Sequence, residues 1–550
     1  MSDDCHSFVI WAKRQIQQSD FEDTLSLEHE LTVIAKLAPD RPTYSQYVSF
    51  AGKPILVRSN SLAILSHTSS FFSAWDGDAA PEYPSAELTL MRREVDHGNV
   101  ENAPWFRGRG YFALARFTPA DSVWFNLRTC HACGFFSDAV VSDEFRWHKD
   151  ILPAVLGILA PNLAVVPVHA ACLAKHGSGI LLAARSGVGK STLAVTLAQR
   201  GYRYLADDWT YLAQGQIGVS AWSIPAPVKL LPDATNYFPE LARHSCAQSL
   251  NGEFAYEVSP QTSLGLSRQQ NCRVRCIVLL DRRHQPGISI SPVTATEAVD
   301  RLSSEIEPLT GPLAPAYQAQ IELLSGLLDS MCLRVFFNAS PQEVASAIDE
   351  TLAGIFPPSR TPPGQRGDPP VPATYRGSGK LASRAITMSV QEEHVVPSLA
   401  TATVPPDVTQ PTDMMCRRTA LDLNATCQWL GKVVRIDTNS SAVLRAAEEW
   451  GFSPDYSAGS GIDLHLEFVV EDIHDRTNRA SPLHVLRDER TVFIETGRQG
   501  WFAFDCETGE GAGFFVATES EEAVEAHFSA VAAALEPLLQ PPIKGTNQDD

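Results

Sequence analysis

The chain has 550 residues, 44% of them apolar, with 44 Lys and Arg against 64 Asp and Glu for a net charge of −20. That length exceeds one ordinary domain and implies about two to four, while the acidity argues against gripping a nucleic-acid backbone or an anionic membrane through bulk charge. The 11 cysteines are scattered behind an acidic start, MSDDCHSFVIWAKRQIQQSD, that lacks a basic n-region, so reduced thiols and a cytoplasmic setting are expected.

In chain order, residues 1–27 are an N-terminal segment before the first patterned unit, expected over 28–161. There FAGKPILVRSNSLAIL (50–65) reads as strand, turn and helix start, and ELTLMRREVD (87–96) alternates as strands do. VWFNLRTCHACGFF (123–136) reads as a hairpin. Its Cys130 and Cys133 have the spacing of half a zinc site or a redox pair, but no second Cys-x-x-Cys occurs. Structural thiols are expected there, as at Cys272 and Cys276. The apolar stretch ILPAVLGILAPNLAVVPV (151–168) approaches the length of a membrane span, but Pro153, Pro161, Asn162 and Pro167 divide it. It reads as a helix ending near Ala160, then a strand.

The next unit is expected over 162–356. It opens with two apolar runs joined by the polar turn KHGSG, and the second run feeds Ala184-Arg185-Ser186-Gly187-Val188-Gly189-Lys190-Ser191-Thr192. STLAVTLAQRG (191–201) then has helical periodicity and closes at Gly201. Strand, glycine loop and helix form the context that a phosphate-binding loop requires, the alternative being an ordinary glycine turn. Gly187 and Gly189 let backbone N–H groups converge on phosphate oxygens, and the helix start adds partial positive charge. Lys190 supplies a full charge to the β- and γ-phosphates, and Ser191 a hydroxyl to Mg²⁺. Binding of a nucleoside triphosphate is therefore expected.

GYRYLADDWTYL (201–212) reads as a second strand ending in Asp207 and Asp208. Beside bound phosphates one carboxylate can hold Mg²⁺ while the other takes a proton from an attacking hydroxyl. Which aspartate plays which part stays open in the sequence, with Asp208 placed on the metal side as a working choice. A surface Asp pair in a turn, and a switch-type NTPase with Asp208 as its Walker-B residue, are the alternatives. Arg185 either touches a phosphate or points to solvent. Lys229 is either an electrostatic clamp or a solvated lysine.

Residues 357–415 are rich in proline and lack apolar period, as in PPSRTPPGQRGDPPVPATYRGSGK, and read as a disordered linker. The last unit is expected over 416–540, before a tail at 541–550. It echoes the first. WLGKVVRIDTNSSAVL (429–444) repeats the Gly-Lys and Asn-Ser spacing of Gly52-Lys53 and Asn60-Ser61, and DLHLEFVVED (463–472) follows in order. GWFAFDCETGEGAGFF (500–515) then pairs with 123–136, longer by two residues at a presumed turn. Both units end in Leu-x-Pro, at Leu159–Pro161 and Leu535–Pro537. Two copies of one α+β module are expected.

The stretch VHAACLAKHGSGILLAARSGVGKSTLAVTLAQRGYRYLADDW (168–209) resembles the catalytic core of HPr kinase/phosphorylase and its HPr-kinase-like relatives. His169 matches that family's histidine before the loop, Ala184 to Thr192 its phosphate loop with alanine in place of the first glycine, and Asp207 and Asp208 its catalytic aspartates. Segments 224–233, 274–283 and 290–306 resemble the relatives more loosely. The resemblance implies a P-loop α/β kinase core related to phosphoenolpyruvate carboxykinase, flanked here by two smaller α+β modules. It further implies ATP and Mg²⁺ as cofactors and transfer of the γ-phosphoryl group to a serine or other hydroxyl. The acceptor is a protein, a peptide or a small molecule, with no role for nucleic acid or membrane, and homo-oligomers stay open. No counterpart of the family's Arg-bearing signature loop follows the aspartates, so phosphorylase activity and hexameric assembly have no support in the sequence. The competing readings are an ATP-binding regulator whose nucleotide state positions the two modules, and a scaffold with a vestigial loop.

Overall fold

A computed structural model of the chain describes residues 42–74, 83–93, 104–118, 120–185, 187–248, 254–353, 415–454, 461–471, 484–487, 491–496, 500–516 and 521–539. The N-terminal segment 1–27, the expected linker up to 414, the tail 541–550 and Ser186 lie outside the described residues.

The first flank begins with the hairpin β1 (Tyr44–Phe50) and β2 (Lys53–Ser59), turned through Ala51 and Gly52 at φ 50° and 77°. Helix α1 (Leu62–Phe71) follows and buries Ile64, Leu65 and Phe71. Then come β3 (Ser73–Ala74), β4 (Ala86–Arg93), β5 (Trp105–Arg109), β6 (Phe112–Arg116), β7 (Ser122–Asn126) and β8 (His131–Ser137). They form one eight-stranded sheet in the order β3-β1-β2-β4-β8-β7-β6-β5, with β2, β4 and β8 parallel. After a π-helical turn at Trp147–Ile151, helix α2 (Leu152–Leu159) ends before the left-handed Ala164. The apolar stretch 151–168 therefore breaks into helix and strand. Among the described residues no helix is long and apolar enough to cross a membrane.

The middle region opens with β9 (Val165–Lys175) and β10 (Ser178–Ala184), an antiparallel hairpin whose turn residues His176 and Gly177 both have positive φ. The phosphate-loop segment leads into helix α3 (Lys190–Gln199). Gly201, at φ 93°, ends it as the C′ residue, with the Tyr202 N–H bonded back to the Leu197 carbonyl. Next are β11 (Arg203–Ala206), β12 (Trp209–Gln214), β13 (Val219–Trp222), β14 (Val228–Leu230), β15 (Ala247–Gln248), β16 (Phe254–Val258) and β17 (Asn271–Arg282). The region ends with β18 (Gly287–Pro292), α4 (Ala295–Ser303), α5 (Ala314–Ser325), β19 (Met331–Asn338) and α6 (Pro341–Ala353). β10 pairs parallel to β17 as well as antiparallel to β9, and β17 meets β13, which meets β12, which returns to β9. These pairings close a ring of five strands. β19 and β18 extend the sheet from β17. Helix α3 buries Leu193, Ala194, Val195 and Leu197 against it, and α6 packs on the same side with Val344 and Ile348.

The last flank comprises β20 (Leu423–Trp429), β21 (Lys432–Thr438), α7 (Ser441–Glu449), β22 (Ser453–Pro454), β23 (Leu464–Glu471), β24 (His484–Arg487), β25 (Thr491–Thr496), β26 (Gly500–Asp505), β27 (Glu510–Val516) and α8 (Glu521–Leu539). Its strand order, β22-β20-β21-β23-β27-β26-β25-β24, follows the first flank position for position. The parallel trio here is β21, β23 and β27. Small features recur too. Leu430 and Gly431 have positive φ at 52° and 75°. In the first flank Asn60 exchanges two bonds with the backbone of Arg92, at 2.9 and 2.7 Å, and in the last flank Asn439 does the same with Val470 at 2.9 and 2.7 Å.

One detail of the sequence comparison differs. The turns of β7–β8 and β26–β27 have equal length, Leu127–Cys130 and Cys506–Gly509. Trp124 lies opposite Cys133, whereas Trp501 lies opposite Phe514, so the two tryptophans are not at the same sheet position. The two-residue offset comes from where each strand carries its tryptophan, not from the turn.

The two flank sheets face each other. Trp124 meets Trp501 edge-on at 5.6 Å and Phe493 at 5.4 Å, within a buried cluster that includes Leu114, Val469 and Phe514. Around it Arg107 pairs with Glu471 (2.9 Å), Arg109 with Glu467 (2.6 Å), Arg116 with Glu495 (3.0 Å) and Arg128 with Glu510. Asn126 bonds Thr491 and Asp505. Aromatic area supplies the main burial, and the ion pairs fix register and partner.

Candidate active site

The ends of β10 and β11 and the middle of β9 bring the candidate residues together. β10 ends at Ala184, buried between β9 and β17, and the chain then rises through the glycine loop. Gly187 and Gly189 stand at φ 78° and 105°, a region that costs other L-residues about 1–2 kcal/mol. No atom lies within 4 Å of where a Cβ on Gly187 would sit, so its surroundings are open and glycine serves the backbone there. Helix α3 starts with no side-chain cap and no acid in its first turn. Its first amides and the positive end of its dipole suit an anion.

Lys190 is 7% exposed. Its Nζ stands 3.4 Å from the His169 carbonyl oxygen and 3.6 Å from Asp208 Oδ1, both long for a charge-assisted bond. Burial pushes its pKa down. A buried cation with only loose contacts is suited to a phosphate chain. Arg185 is exposed at the foot of the loop.

His169 lies across from Trp209 in the β9–β12 pairing, with the two rings 5.7 Å apart. Its Nε2 is 2.8 Å from Asp208 Oδ1, and its Nδ1 is 3.0 Å from Glu305 Oε2. Arg301 holds the other Glu305 oxygen at 2.7 Å. An imidazole that donates to two carboxylates carries both protons. The Asp208 bond, then the Glu305 bond, raise its pKa to about 9.

The adjacent aspartates sit in the bend between β11 and β12 and meet unlike surroundings. Asp207 is 4% exposed. It accepts bonds from the Tyr204 hydroxyl (2.8 Å), the Lys229 backbone N–H (3.3 Å) and the Ser191 hydroxyl. Burial outweighs these bonds and pushes its pKa up to about 6. The Asp208 side chain is half exposed. Burial opposes its ionisation too, but the His169 bond and the Lys190 charge prevail and hold it below the ordinary value. Neighbours in sequence are thus driven apart in acidity.

Both aspartates line a cleft of about 210 Å³. Tyr204, Trp209 and Lys229 line it too, as do Lys149 and Pro153 of the first flank. Lys149 Nζ reaches Glu257 on β16 at 2.7 Å and ties the flank to the middle region.

His169, Ala184, Arg185, Gly187 to Thr192, Asp207 and Asp208 therefore gather around one loop mouth. Lys229 reaches Asp207 through its backbone, with its side chain on the cleft. Cys130 points its thiol at the Leu127 and Asn162 carbonyls, inside the first flank. Glu305 escaped the sequence reading. It sits 136 residues beyond His169, just past α4, and its only signal was membership of the loosely similar segment 290–306.

Residues 161–219 match the family described as HPr Serine kinase C-terminal domain. A putative HPr kinase/phosphorylase 2 from Oceanobacillus iheyensis is 54% identical over 128 residues, covering 22% of this chain and 37% of that protein. An HPr kinase/phosphorylase from a Geobacillus species is 40% identical over 73 residues, covering 13% of this chain and 22% of that protein. The chain thus spans well under half the length of these relatives. The structure of the Hpr(Ser) kinase/phosphatase from Coxiella burnetii aligns over 34% of this chain and 98% of its own, at 14% identity and a TM-score of 0.20.

Proposed function

From a chain that is HPr-kinase-like in the segment building this site, we propose an ATP-dependent kinase that transfers the γ-phosphoryl group to a hydroxyl acceptor, working in a reducing, cytoplasmic compartment. The observation that carries this reading is the split between Asp207 and Asp208. Two carboxylates beside a phosphate loop, one pushed up to about 6 and one held low, are a base and a permanently charged partner. Asp207, facing the cleft, takes the proton of the acceptor hydroxyl. Asp208 stays ionised and, with the Ser191 hydroxyl, would hold Mg²⁺; hydroxyl and carboxylate are the hard oxygen donors that this ion prefers. When bound, Mg²⁺ neutralises charge developing on the phosphate oxygens.

The other residues orient. His169, fixed by Glu305, sets the position of Asp208 and offsets its charge. Lys190 and the amides at the start of α3 bind the phosphates. The acceptor, a protein, peptide or small molecule, enters the cleft between the aspartates and the first flank. We take the two flanks, with matching strand order and matching Asn60 and Asn439 bonds, to be copies of one module.

The test is incubation with labelled ATP and Mg²⁺ in lysate of the source cell. Transfer of label to an acceptor by the parent but not by Asp207→Asn is expected. Tight ATP binding with no acceptor labelled would favour the second reading, a regulator. That reading draws on the Lys149–Glu257 tie, which lets the nucleotide region sense the first flank.

A further inference from the structure

Strand β17 runs parallel to β10, and Ala184 pairs with Leu280, so the residues just beyond come level with the phosphate loop. Arg282 is one of them. Its Nε donates to the Val188 carbonyl, inside the loop, at 2.9 Å. Its guanidinium carbon lies 4.6 Å from the centre of the Phe337 ring, which β19 places directly across from it. Its Nη2 is 3.3 Å from the point that a Cβ on Gly189 would occupy. A carbonyl, an aromatic face and a bare glycine thus fix a side chain that would otherwise range over many rotamers. The acid next to it, Asp281, is drawn aside by Arg334 at 3.3 Å.

The charge balance of the site gives this placement a purpose. Asp207, Asp208 and Glu305 are set among Lys190, His169, Lys229 and Arg301, the last already engaged with Glu305. The three carboxylates offset most of that positive charge, so the several negative charges of an entering nucleoside triphosphate call for a further cation. The guanidinium group adds a positive charge from the side opposite the aspartates' own strands, and its planar fork has donors to spare after Nε is used.

We propose that Arg282 is a nucleotide-binding residue that holds the loop through the Val188 carbonyl and presents its Nη donors to the β- and γ-phosphates of ATP. This rests on the reading of the loop as an ATP site. The test is ATP titration by calorimetry on the full chain at two salt concentrations, comparing the parent with Arg282→Ala and Arg282→Lys. Arg282→Ala should bind ATP about tenfold more weakly or worse, as expected for a lost charge-assisted bond. Its affinity should also depend less on salt, and its melting temperature without nucleotide should match the parent's. Arg282→Lys should recover part of the loss. Parent-like ATP affinity in Arg282→Ala overturns the proposal. Weakened binding with unchanged salt dependence and no recovery in Arg282→Lys also overturns it, because the residue then only shapes the loop. If the parent binds no ATP, the loop reading itself fails, a result distinct from both.

Discussion

Between two carboxylates His169 has little freedom, and its protonation state is written into the geometry. Its folded pKa of about 9 lies above the ordinary 6.5. The stabilisation it gives is therefore whole below about pH 6.5 and fades as pH rises through 9. Melting curves of the parent should fall over that window, and His169→Gln should lack that component of the fall; identical profiles would refute the charged triad. As the base of the proposed reaction, Asp207 would set the catalytic window. Because a base must be deprotonated, transfer should rise with pH and reach half its plateau near 6. Asp207→Asn should keep ATP binding and lose transfer by about 10²–10⁴-fold, the usual range for general base catalysis. Asp208→Asn should instead weaken binding that depends on Mg²⁺, read by titration with and without the ion. For Lys190→Ala, a roughly tenfold or greater loss of ATP affinity is expected from the missing charge-assisted bond.

At the scale of elements, local chemistry shows which parts were legible. The strand, loop and helix around Lys190 were readable because Gly187, Gly189 and Gly201 mark backbone that only glycine adopts cheaply, and all three have positive φ. The aspartates were readable because they follow at a short, fixed distance. The ring closure through β10–β17 was not, since a parallel pairing between residues 178–184 and 273–280 leaves no local signal. Glu305 and Arg282 were hidden likewise: each reaches the site from a distant strand or helix end, as one acid or arginine among many. The tryptophans misled in a different way, since alignment by residue type matched Trp124 with Trp501 while strand pairing sets them apart. Trp124 is fully buried between the sheets. Trp124→Ala should cost about 3–5 kcal/mol in denaturant unfolding, the range for a large aromatic removed from a core. A loss below 1 kcal/mol would show that the flanks do not pack there.

For the whole molecule, the linker expected over 357–415 would imply a last flank that folds alone. The structure argues for dependence. Val469, Phe493, Trp501 and Phe514 are buried against the first flank, and Glu495 is 8% exposed beside Arg116. Alone, that sheet would present an apolar face of the kind that drives association. Produced as two polypeptides, 1–353 and 415–550, the protein should copurify as a one-to-one pair, and 415–550 alone should aggregate or self-associate. A well-behaved monomer of 415–550 by light scattering would contradict this. Arg116→Met, which removes the ion-pair partner of buried Glu495, should weaken the pair more than Arg128→Met, whose partner is more exposed.

The signs of the pairing charges carry one more consequence. Every arginine of the four pairs belongs to the first flank and every glutamate to the last. Two first flanks brought together would oppose arginine with arginine, so neither sheet can take its own kind as a substitute. Exchange between two chains meets no such barrier. If the first flank of one chain receives the last flank of another, all four pairs form unchanged and an intertwined dimer results. At high concentration the same contacts that close one chain on itself are then available to link two.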